Sequence, residues 1–485
     1  MEYFGILLVG LLVGGAATHF FARRLQARGA HQGQNRSHIS DILLPHFHPT
    51  PPDSITISER QFPFRVRADL QRAIDQLFGE QSKILHFCGV RQEYSHHGVS
   101  MSDCVINSQN NPALSIPPEY GEINIGEEDP VRALKNGLWL LERDGVRFAV
   151  LLSPVANYGR TTGMQFQVAT PNSADGTRIV QDFFRHLEQS IFKAESYRGK
   201  ILSLELSEHS YSGESTGITV HKLRTVERDQ VILPASTLSL LERNVIQFVK
   251  QRVKLTQFRQ ATKKGILFYG PPGTGKTHTI HYLARALEGH TTLLVSAEQV
   301  GLLSEYMTLA RLMQPSIVVL EDVDLIARDR SQMNSACEEV LLNKLLNEMD
   351  GLKEEADILF ILTTNRPEAL EAALASRPGR VDQAIEFPLP DNVGREKLVQ
   401  LYAKGITLPS DLVKEIVRRT DGVSAAFIKE LLRRIVQFHI EREGTEINST
   451  DVDLALDEML FSGGSLNLKL LGAGNLEADR QTTAT

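Results

Sequence analysis

The chain has 485 residues, enough for two or three domains, and its 42% hydrophobic and 23% charged residues exclude wholesale disorder. Its 52 basic and 59 acidic side chains give a formal charge of −7, so no basic field exists to hold nucleic acid and no nucleic-acid partner is expected. The three cysteines fit neither a zinc spacing nor a disulfide framework, and the absence of an HExxH motif excludes a built-in zinc protease of that type.

The N-terminus carries an apolar stretch at residues 3–22 that contains no Lys, Arg, Asp or Glu. As a helix it is long enough to cross a hydrocarbon core of roughly 30 Å. Arg23, Arg24 and Arg28 follow it directly, so the positive-inside rule places the N-terminus outside and the rest of the chain in the cytoplasm, or in the matrix of a mitochondrion. The sequence therefore predicts a single-pass transmembrane anchor over residues 1–25. A cleaved signal peptide and a buried helix are the alternatives.

Residues 26–54 are rich in Gly, Gln, Ser, His and Pro, which predicts a juxtamembrane linker. Residues 55–216 then show the pattern of an α+β domain. Helical spacing at residues 62–78 and 175–194 flanks strand-like runs that include residues 146–152 and 164–168, and residues 201–206 form another strand-like run after them. Trp139, the single tryptophan, is expected in the core of this domain. No catalytic constellation is apparent here.

A phosphate-binding loop, GPPGTGKT, occupies residues 270–277 between an apolar run at 265–269 and a predicted helix at 277–287. Glycines allow backbone N–H groups to surround a phosphate, Lys276 can reach the β- and γ-phosphates, and the Thr277 hydroxyl can ligate Mg²⁺. ATP and Mg²⁺ are the expected cofactors. The predicted nucleotide-binding residues are Gly270, Pro271, Pro272, Gly273, Thr274, Gly275, Lys276, Thr277 and His278.

Two further strands are predicted to deliver polar side chains to this loop. Residues 316–320 are followed by Glu321 and Asp322, as in a Walker B element, and residues 358–362 lead to Asn365, which can hold an attacking water. The metal ligands expected from the protein are therefore Thr277 and Glu321, and the catalytic candidates include Glu321, Asp322 and Asn365. Arg377 and Arg380 complete that set, because an arginine presented by a neighbouring subunit can stabilise charge on a transferring phosphoryl group.

These residues resemble the AAA family of ring ATPases. GPPGTGKT, PSIVVLEDVD, LNEMDGL, TTNRPEAL, RPGRVD and PLPD stand in family order from about residue 265 to residue 391. The resemblance implies an α/β P-loop domain at residues 217–391, with a parallel sheet in the order 5-1-4-3-2, and a helical lid at residues 392–461. It also implies a homo-oligomeric ring, a hexamer or a heptamer, with ATP at the subunit interfaces. Asn365 would be the first sensor, Arg377 and Arg380 the arginine fingers, and residues 350–352 the intersubunit signalling turn.

Two departures point to a subfamily. Most family members end Walker B in Asp-Glu, whereas Glu321-Asp322 is reversed, so Glu321 would face Mg²⁺ and Asp322 would act as the base. Only about nineteen residues separate Ser296 from Pro315, and they lack the aromatic-hydrophobic-glycine pore loop of threading members. Both features are similar to the membrane-anchored mitochondrial ATPases that translocate the Rieske protein and assemble the cytochrome bc1 complex. A bacterial relative with a different client is an equal alternative.

The sequence thus favours a membrane-anchored ATPase that moves, remodels or assembles a protein client. A nucleotide-gated scaffold with slow or no hydrolysis and a threading unfoldase are the competing hypotheses. Residues 392–402, 411–419, 424–441 and 449–460 are predicted lid helices. Residues 462–485 are predicted to be a disordered tail.

Overall fold

The computed structural model describes residues 37–80, 82–93, 98–106, 111–157, 160–205, 209–210, 213–214, 217–324, 347–349, 351–352, 356–368 and 381–462. The chain divides into two compact units, one containing residues 1–121 and 132–188 and the other residues 122–131 and 189–485. Among the described residues no helix is both long and apolar enough to cross a bilayer. The predicted anchor at 1–25 and the tail beyond residue 462 lie outside them.

The first unit is built on a six-stranded antiparallel sheet in the order β1-β8-β7-β6-β2-β3, and β4 pairs with β5 in a separate ribbon. Its strands are β1 Ile55–Pro63, β2 Lys83–Arg91, β3 Leu114–Ile116, β6 Gly137–Arg143, β7 Val146–Asn157 and β8 Arg160–Pro171. Its helices are α1 Ile39–Phe47, α2 Arg67–Glu80 and α3 Met101–Val105. Strands β4 Tyr120–Ile123 and β5 Val131–Leu134 and helix α4 Ala174–Lys193 each have residues in both units.

An aromatic cluster fills the interface between this sheet and its helices. Trp139 on β6 is 5% exposed and stacks on Phe87 with ring centroids 5.0 Å apart, and Phe78 of α2 lies 4.8 Å from it. Phe183 of α4 stacks on Phe78 at 5.8 Å. Aromatic rings bury large apolar areas and prefer such offset or tilted contacts. The α+β architecture and the core position of Trp139 agree with the sequence prediction.

The structure corrects the predicted linker at 26–54. Residues 39–47 form helix α1, whose Ile39, Leu43 and Phe47 are at most 3% exposed in a shared hydrophobic cluster. These three side chains recur every four residues and so lie on one helical face. The prolines in this region favoured the prediction of a linker over that of a helix. The helix predicted at 62–78 is also wrong at its start, because β1 continues to Pro63 and α2 begins only at Arg67.

The second unit contains a seven-stranded sheet in the order β12-β9-β14-β15-β16-β13-β17. Its strands are β9 Ile201–Leu204, β12 Ile218–Val220, β13 Lys264–Tyr269, β14 Thr291–Val295, β15 Ser316–Leu320, β16 Ile358–Thr364 and β17 Gln383–Glu386, with β10 His209–Ser210 and β11 Gly213–Glu214 forming a small separate hairpin. The last five core strands are parallel and, numbered along the chain, stand in the order 5-1-4-3-2. This confirms the predicted P-loop sheet.

The sheet extends beyond its predicted edge. Strand β9 pairs in parallel with β14, and β12 pairs antiparallel with β9. The predicted boundary between the α+β domain and the ATPase core, at residues 216 and 217, therefore falls inside this sheet. Local sequence gives no sign of which sheet a short strand joins, because that choice depends on tertiary pairing.

Helices cover the sheet and form the lid. They are α5 Ala235–Leu241, α6 Phe248–Gln257, α7 Lys276–Ala286, α8 Leu303–Leu312, α9 Asn392–Tyr402, α10 Ser410–Arg419, α11 Ala425–Glu441 and α12 Ser449–Asp457, with a π-helical segment, Glu242–Gln247, joining α5 to α6. The four lid helices, α9 to α12, share one cluster of buried side chains that includes Leu398, Ile416, Phe427 and Val452. Their amphipathic spacing predicted them to within three residues.

Candidate nucleotide-binding site

The phosphate-binding loop connects the end of β13 to the start of α7. Gly270 has φ +146°, and a Cβ atom there would lie 2.2 Å from the carbonyl oxygen of Phe387. Gly275 caps α7 with φ +97° and has open space around it. Only glycine tolerates these backbone conformations without strain. The loop therefore turns sharply and leaves the N-terminus of α7, with its unpaired N–H groups, at the site.

Lys276, the first residue of α7, is buried beneath the loop. Its Nζ donates to the carbonyl oxygens of Gly270 at 2.8 Å and Pro271 at 3.0 Å. Burial lowers the pKa of this ammonium to about 8, although the nearby carboxylates of Asp322 and Asp324 oppose that shift. Since both its hydrogen bonds go to neutral carbonyls, Lys276 is a suitable cation for phosphate oxygens.

The predicted metal ligands are brought together. Strand β15 is buried along its whole length and ends directly before Glu321, whose Oε1 accepts a hydrogen bond of 2.8 Å from the Thr277 hydroxyl. A hydroxyl and a carboxylate are hard oxygen donors of the kind that Mg²⁺ prefers beside substrate phosphates. These two side chains therefore fit a Mg²⁺ site.

Asp322 and Asn365 also meet. Asp322 has φ +50°, and its backbone N–H donates to the Thr363 hydroxyl at 3.0 Å. The Asn365 side-chain amide donates to Asp322 Oδ1 at 3.0 Å. A left-handed backbone is uncommon outside glycine and is tolerated best by Asp and Asn. It turns Asp322 away from the strand direction and towards the amide.

A cavity of about 390 Å³ runs along the loop and includes the predicted residues 272–278, Asp322 and Asn365. His278 Nε2 donates to the carbonyl oxygen of Gln230 at 3.2 Å, and burial lowers the pKa of its imidazole. The sequence interpretation assigned no site role to several lining residues: Gln230, Val231, Ile232, Leu233, Leu398, Tyr402 and Lys429. They follow no local motif, so only the fold identifies them.

The lid closes one side of the same cavity. The Ala426 N–H donates to the carbonyl oxygen of Gly273 at 3.1 Å, and a Cβ on Gly273 would lie 2.8 Å from the Ser424 hydroxyl. Ala425, the first residue of α11, lines the cavity, and Phe427 is fully buried in the lid core. The lid turn thus touches the phosphate-binding loop directly.

Tyr306 is the single aromatic residue between Ser296 and Pro315, and it is fully buried. Its hydroxyl accepts from the Leu204 N–H at 2.7 Å and lies 2.9 Å from both the Leu294 carbonyl oxygen and Gln299 Oε1. The tyrosine therefore joins strands β9 and β14 within the core. It is not a pore-loop side chain.

Arg377, Arg380 and Asp350 lie outside the described residues. Their predicted roles as arginine fingers and as part of the signalling turn stay predictions.

The fold and the site together define a P-loop nucleotide-binding domain. Residues 266–389 match the family described as "ATPase family associated with various cellular activities (AAA)". The chain therefore contains an AAA ATPase domain, a class of domain that uses ATP with Mg²⁺.

Several curated proteins are similar to part of this chain. The chain is 33% identical over 208 residues to the proteasome-activating nucleotidase of Methanoculleus marisnigri, which covers 40% of this chain and 50% of that protein. It is 33% identical over 235 residues to ATP-dependent zinc metalloprotease FtsH 3 of a Synechocystis species, and the match covers 44% of this chain and 37% of that protein. It is 36% identical over 200 residues to 26S proteasome regulatory subunit 10B of Dictyostelium discoideum, and the match covers 39% of this chain and 51% of that protein. The chain spans about half or less of each of these relatives.

Proposed function

We propose that this protein is a membrane-anchored AAA ATPase that hydrolyses ATP at the subunit interfaces of a ring. The work would be to translocate, remodel or assist the assembly of a protein client at the membrane. The observation that carries hydrolysis is the 3.0 Å contact between Asp322 and Asn365, beside the loop that holds Lys276 and Thr277. The phosphate-binding loop alone would support binding only.

Each side chain of the site has a separate role in the proposed ATP hydrolysis. Asp322 accepts the proton of the attacking water, and Asn365 orients that water towards the γ-phosphate of ATP. Lys276 and the N-terminus of α7 stabilise negative charge on the β- and γ-phosphates. Thr277 and Glu321 would hold Mg²⁺, which would supply positive charge beside the phosphate oxygens. Arg377 and Arg380 of a neighbouring subunit complete the charge stabilisation in a hexamer or heptamer.

The membrane part of the proposal is supported by sequence. Residues 3–22 are uncharged and are followed by an arginine cluster, which favours an anchor with the N-terminus outside and the ATPase domain on the cytoplasmic or matrix side. The reversed Glu321-Asp322 pair and the short segment before β15 favour the subfamily of mitochondrial Rieske-protein translocases, or a bacterial relative with another client.

A nucleotide-gated scaffold is the second candidate, because Asp322 is one methylene shorter than the glutamate that most family members have at this position. A threading unfoldase is disfavoured by the burial of Tyr306, since a threading pore presents an aromatic side chain to the substrate. The relative named as a zinc metalloprotease does not transfer that activity to this chain, whose sequence has no HExxH motif.

The deciding experiment is ATP hydrolysis by the detergent-solubilised full chain over a concentration series, with Arg380→Ala alongside. Turnover per subunit is expected to rise cooperatively with concentration and to be lost in the variant. Arg178→Ala is the matched control, because Arg178 lies on α4 in the first unit and pairs with Asp175. ATP binding without turnover at any concentration would reject the hydrolytic proposal and favour the scaffold.

A further inference from the structure

The residue that the nucleotide chemistry leaves without a role is Asp324. It follows Asp322 by two positions, yet it does not line the nucleotide cavity and is only 2% exposed. A buried carboxylate is costly unless hydrogen bonds or a counter-charge stabilise it. Its partners therefore indicate its task.

Within the described part of the chain, the hydrogen-bond partners of Asp324 lie at the end of β16, the strand that leads to the predicted sensor Asn365. Asp324 Oδ1 accepts from the Thr364 hydroxyl at 2.9 Å and from the Asn365 backbone N–H at 3.2 Å. The same hydroxyl accepts from the Arg366 N–H at 2.9 Å. One carboxylate oxygen thus holds Thr364 and Asn365 directly, and the Thr364 hydroxyl holds Arg366.

The fixed segment carries the Asn365 amide that contacts Asp322. Asp322 is in turn held by its own backbone bond to Thr363 on the same strand. Asp322 and Asp324 therefore both form hydrogen bonds with the end of β16. Asp322 does so beside the cavity and Asp324 does so in the core. The buried Val323 between them keeps this short segment in place.

Asp324 also has a counter-charge. Its carboxylate lies close enough to Lys276 to act electrostatically on that ammonium, as Asp322 does. This attraction offsets part of the cost of burying both charges. Removing the charge and removing the hydrogen-bond acceptor are consequently two different perturbations.

We propose that Asp324 is a positioning residue: its carboxylate holds Asn365 so that the amide faces Asp322 and the attacking water. The inference rests on the proposed ATP hydrolysis. Asp324 itself does not line the nucleotide cavity.

The first test compares Asp324→Ala with Asp324→Asn in steady-state ATP hydrolysis. The alanine variant is expected to lower kcat by roughly 10- to 100-fold with the KM for ATP within about twofold, since misplacement by about 1 Å can cost this much. The asparagine variant keeps an acceptor oxygen and is expected to recover most of kcat. Equal loss in both variants, or a matching rise in KM, would overturn the proposal.

A double-mutant cycle tests whether Asp324 acts through Asn365. In an Asn365→Ala background, Asp324→Ala is expected to lower kcat less than about twofold further, because residues that act as one unit are not additive. The same fold loss in both backgrounds would contradict the proposal. Asp451→Asn is the matched buried-acid control, since Asp451 is fully buried in the lid and pairs with Arg442. It is expected to lower stability while sparing kcat.

Hydrogen exchange supplies a readout that does not need turnover. The Asn365 N–H is expected to exchange at least about tenfold faster in Asp324→Ala than in Asp324→Asn, while Leu359 and Ile361 in the same strand are unchanged. Unchanged exchange at Asn365 would overturn the positioning role even in a protein that hydrolyses no ATP. If the wild-type protein hydrolyses no ATP but the two variants show this difference in exchange, the proposed function is rejected and the positioning role of Asp324 stands.

Discussion

Replacing Tyr306 with phenylalanine removes one oxygen atom from the core of the second unit. That oxygen accepts from the Leu204 N–H at 2.7 Å and can donate to the Leu294 carbonyl at 2.9 Å. The ring itself remains, so apolar burial is nearly unchanged. The variant therefore measures the hydrogen bonds that connect β9 to the nucleotide-binding sheet.

The expected cost follows from those contacts. Two hydrogen bonds contribute roughly 0.5–1.5 kcal/mol each, and a buried donor left without its acceptor costs about 1–3 kcal/mol. A total loss of about 2–3 kcal/mol in the free energy of unfolding would lower Tm by roughly 4–12 °C for a domain of this size. ATP binding and turnover should persist, because Tyr306 does not line the nucleotide cavity.

The assay is denaturant unfolding together with ATP hydrolysis and remodelling of a client. Tyr282→Phe is the control, because the Tyr282 hydroxyl makes no hydrogen bond with the described part of the chain. It should change stability by less than about 0.5 kcal/mol. Unchanged stability of Tyr306→Phe, combined with loss of client remodelling, would refute the reasoning and assign the tyrosine to a pore surface.

Three further predictions concern the site. Asp322→Asn should lower kcat by roughly 10²- to 10⁴-fold and keep ATP binding, measured with a fluorescent nucleotide; undiminished turnover would show that Asp322 is not the base. Gly270→Ala should abolish ATP binding and lower Tm, because its Cβ would lie 2.2 Å from the Phe387 oxygen, whereas Gly289→Ala, with φ +85° and nothing within 4 Å, should cost only about 1 kcal/mol and keep binding. Burial lowers the Lys276 pKa to about 8, below the value of about 10.4 in an unfolded chain. As pH rises, the folded state therefore loses this proton at a lower pH than the unfolded state does. The free energy of unfolding of the nucleotide-free protein should therefore increase as pH rises from about 8 towards 10.4. Over the same range ATP should bind more weakly, and its binding should be accompanied by uptake of a proton. Calorimetry in two buffers of different ionisation enthalpy measures this uptake. A Lys276→Met variant that kept the same pH dependence would contradict this assignment.

Most strands of the P-loop sheet and the lid helices could be predicted from the sequence because their signals are local, whereas the family resemblance alone implied the order of the strands. Buried parallel strands are continuous apolar runs, the loop needs glycine at fixed spacing, and lid helices repeat their apolar positions every three or four residues. Since parallel strands end at one edge of a sheet, the sequence also indicated that Glu321, Asp322 and Asn365 would lie near the loop. The structure finds Glu321 bonded to Thr277 and Asp322 bonded to Asn365.

Other features depend on contacts between distant residues. Helix α1 has an apolar face only three side chains long, and strand β9 is too short for its sequence to reveal which sheet it joins. Lys429 and Tyr402 reach the cavity because the lid folds back on the loop. No pattern in their own neighbourhood marks them.

The sequence by itself determined that this chain binds nucleotide, because the chemistry of phosphate binding requires particular residues at particular spacings along one loop. Only the tertiary structure decided that Asp324 bonds to the end of β16, that Tyr306 belongs to the core, and that strands β9 and β12 extend the P-loop sheet. Each of these depends on hydrogen bonds between segments separated in the chain, and the energy of such bonds depends on burial that no local sequence pattern encodes.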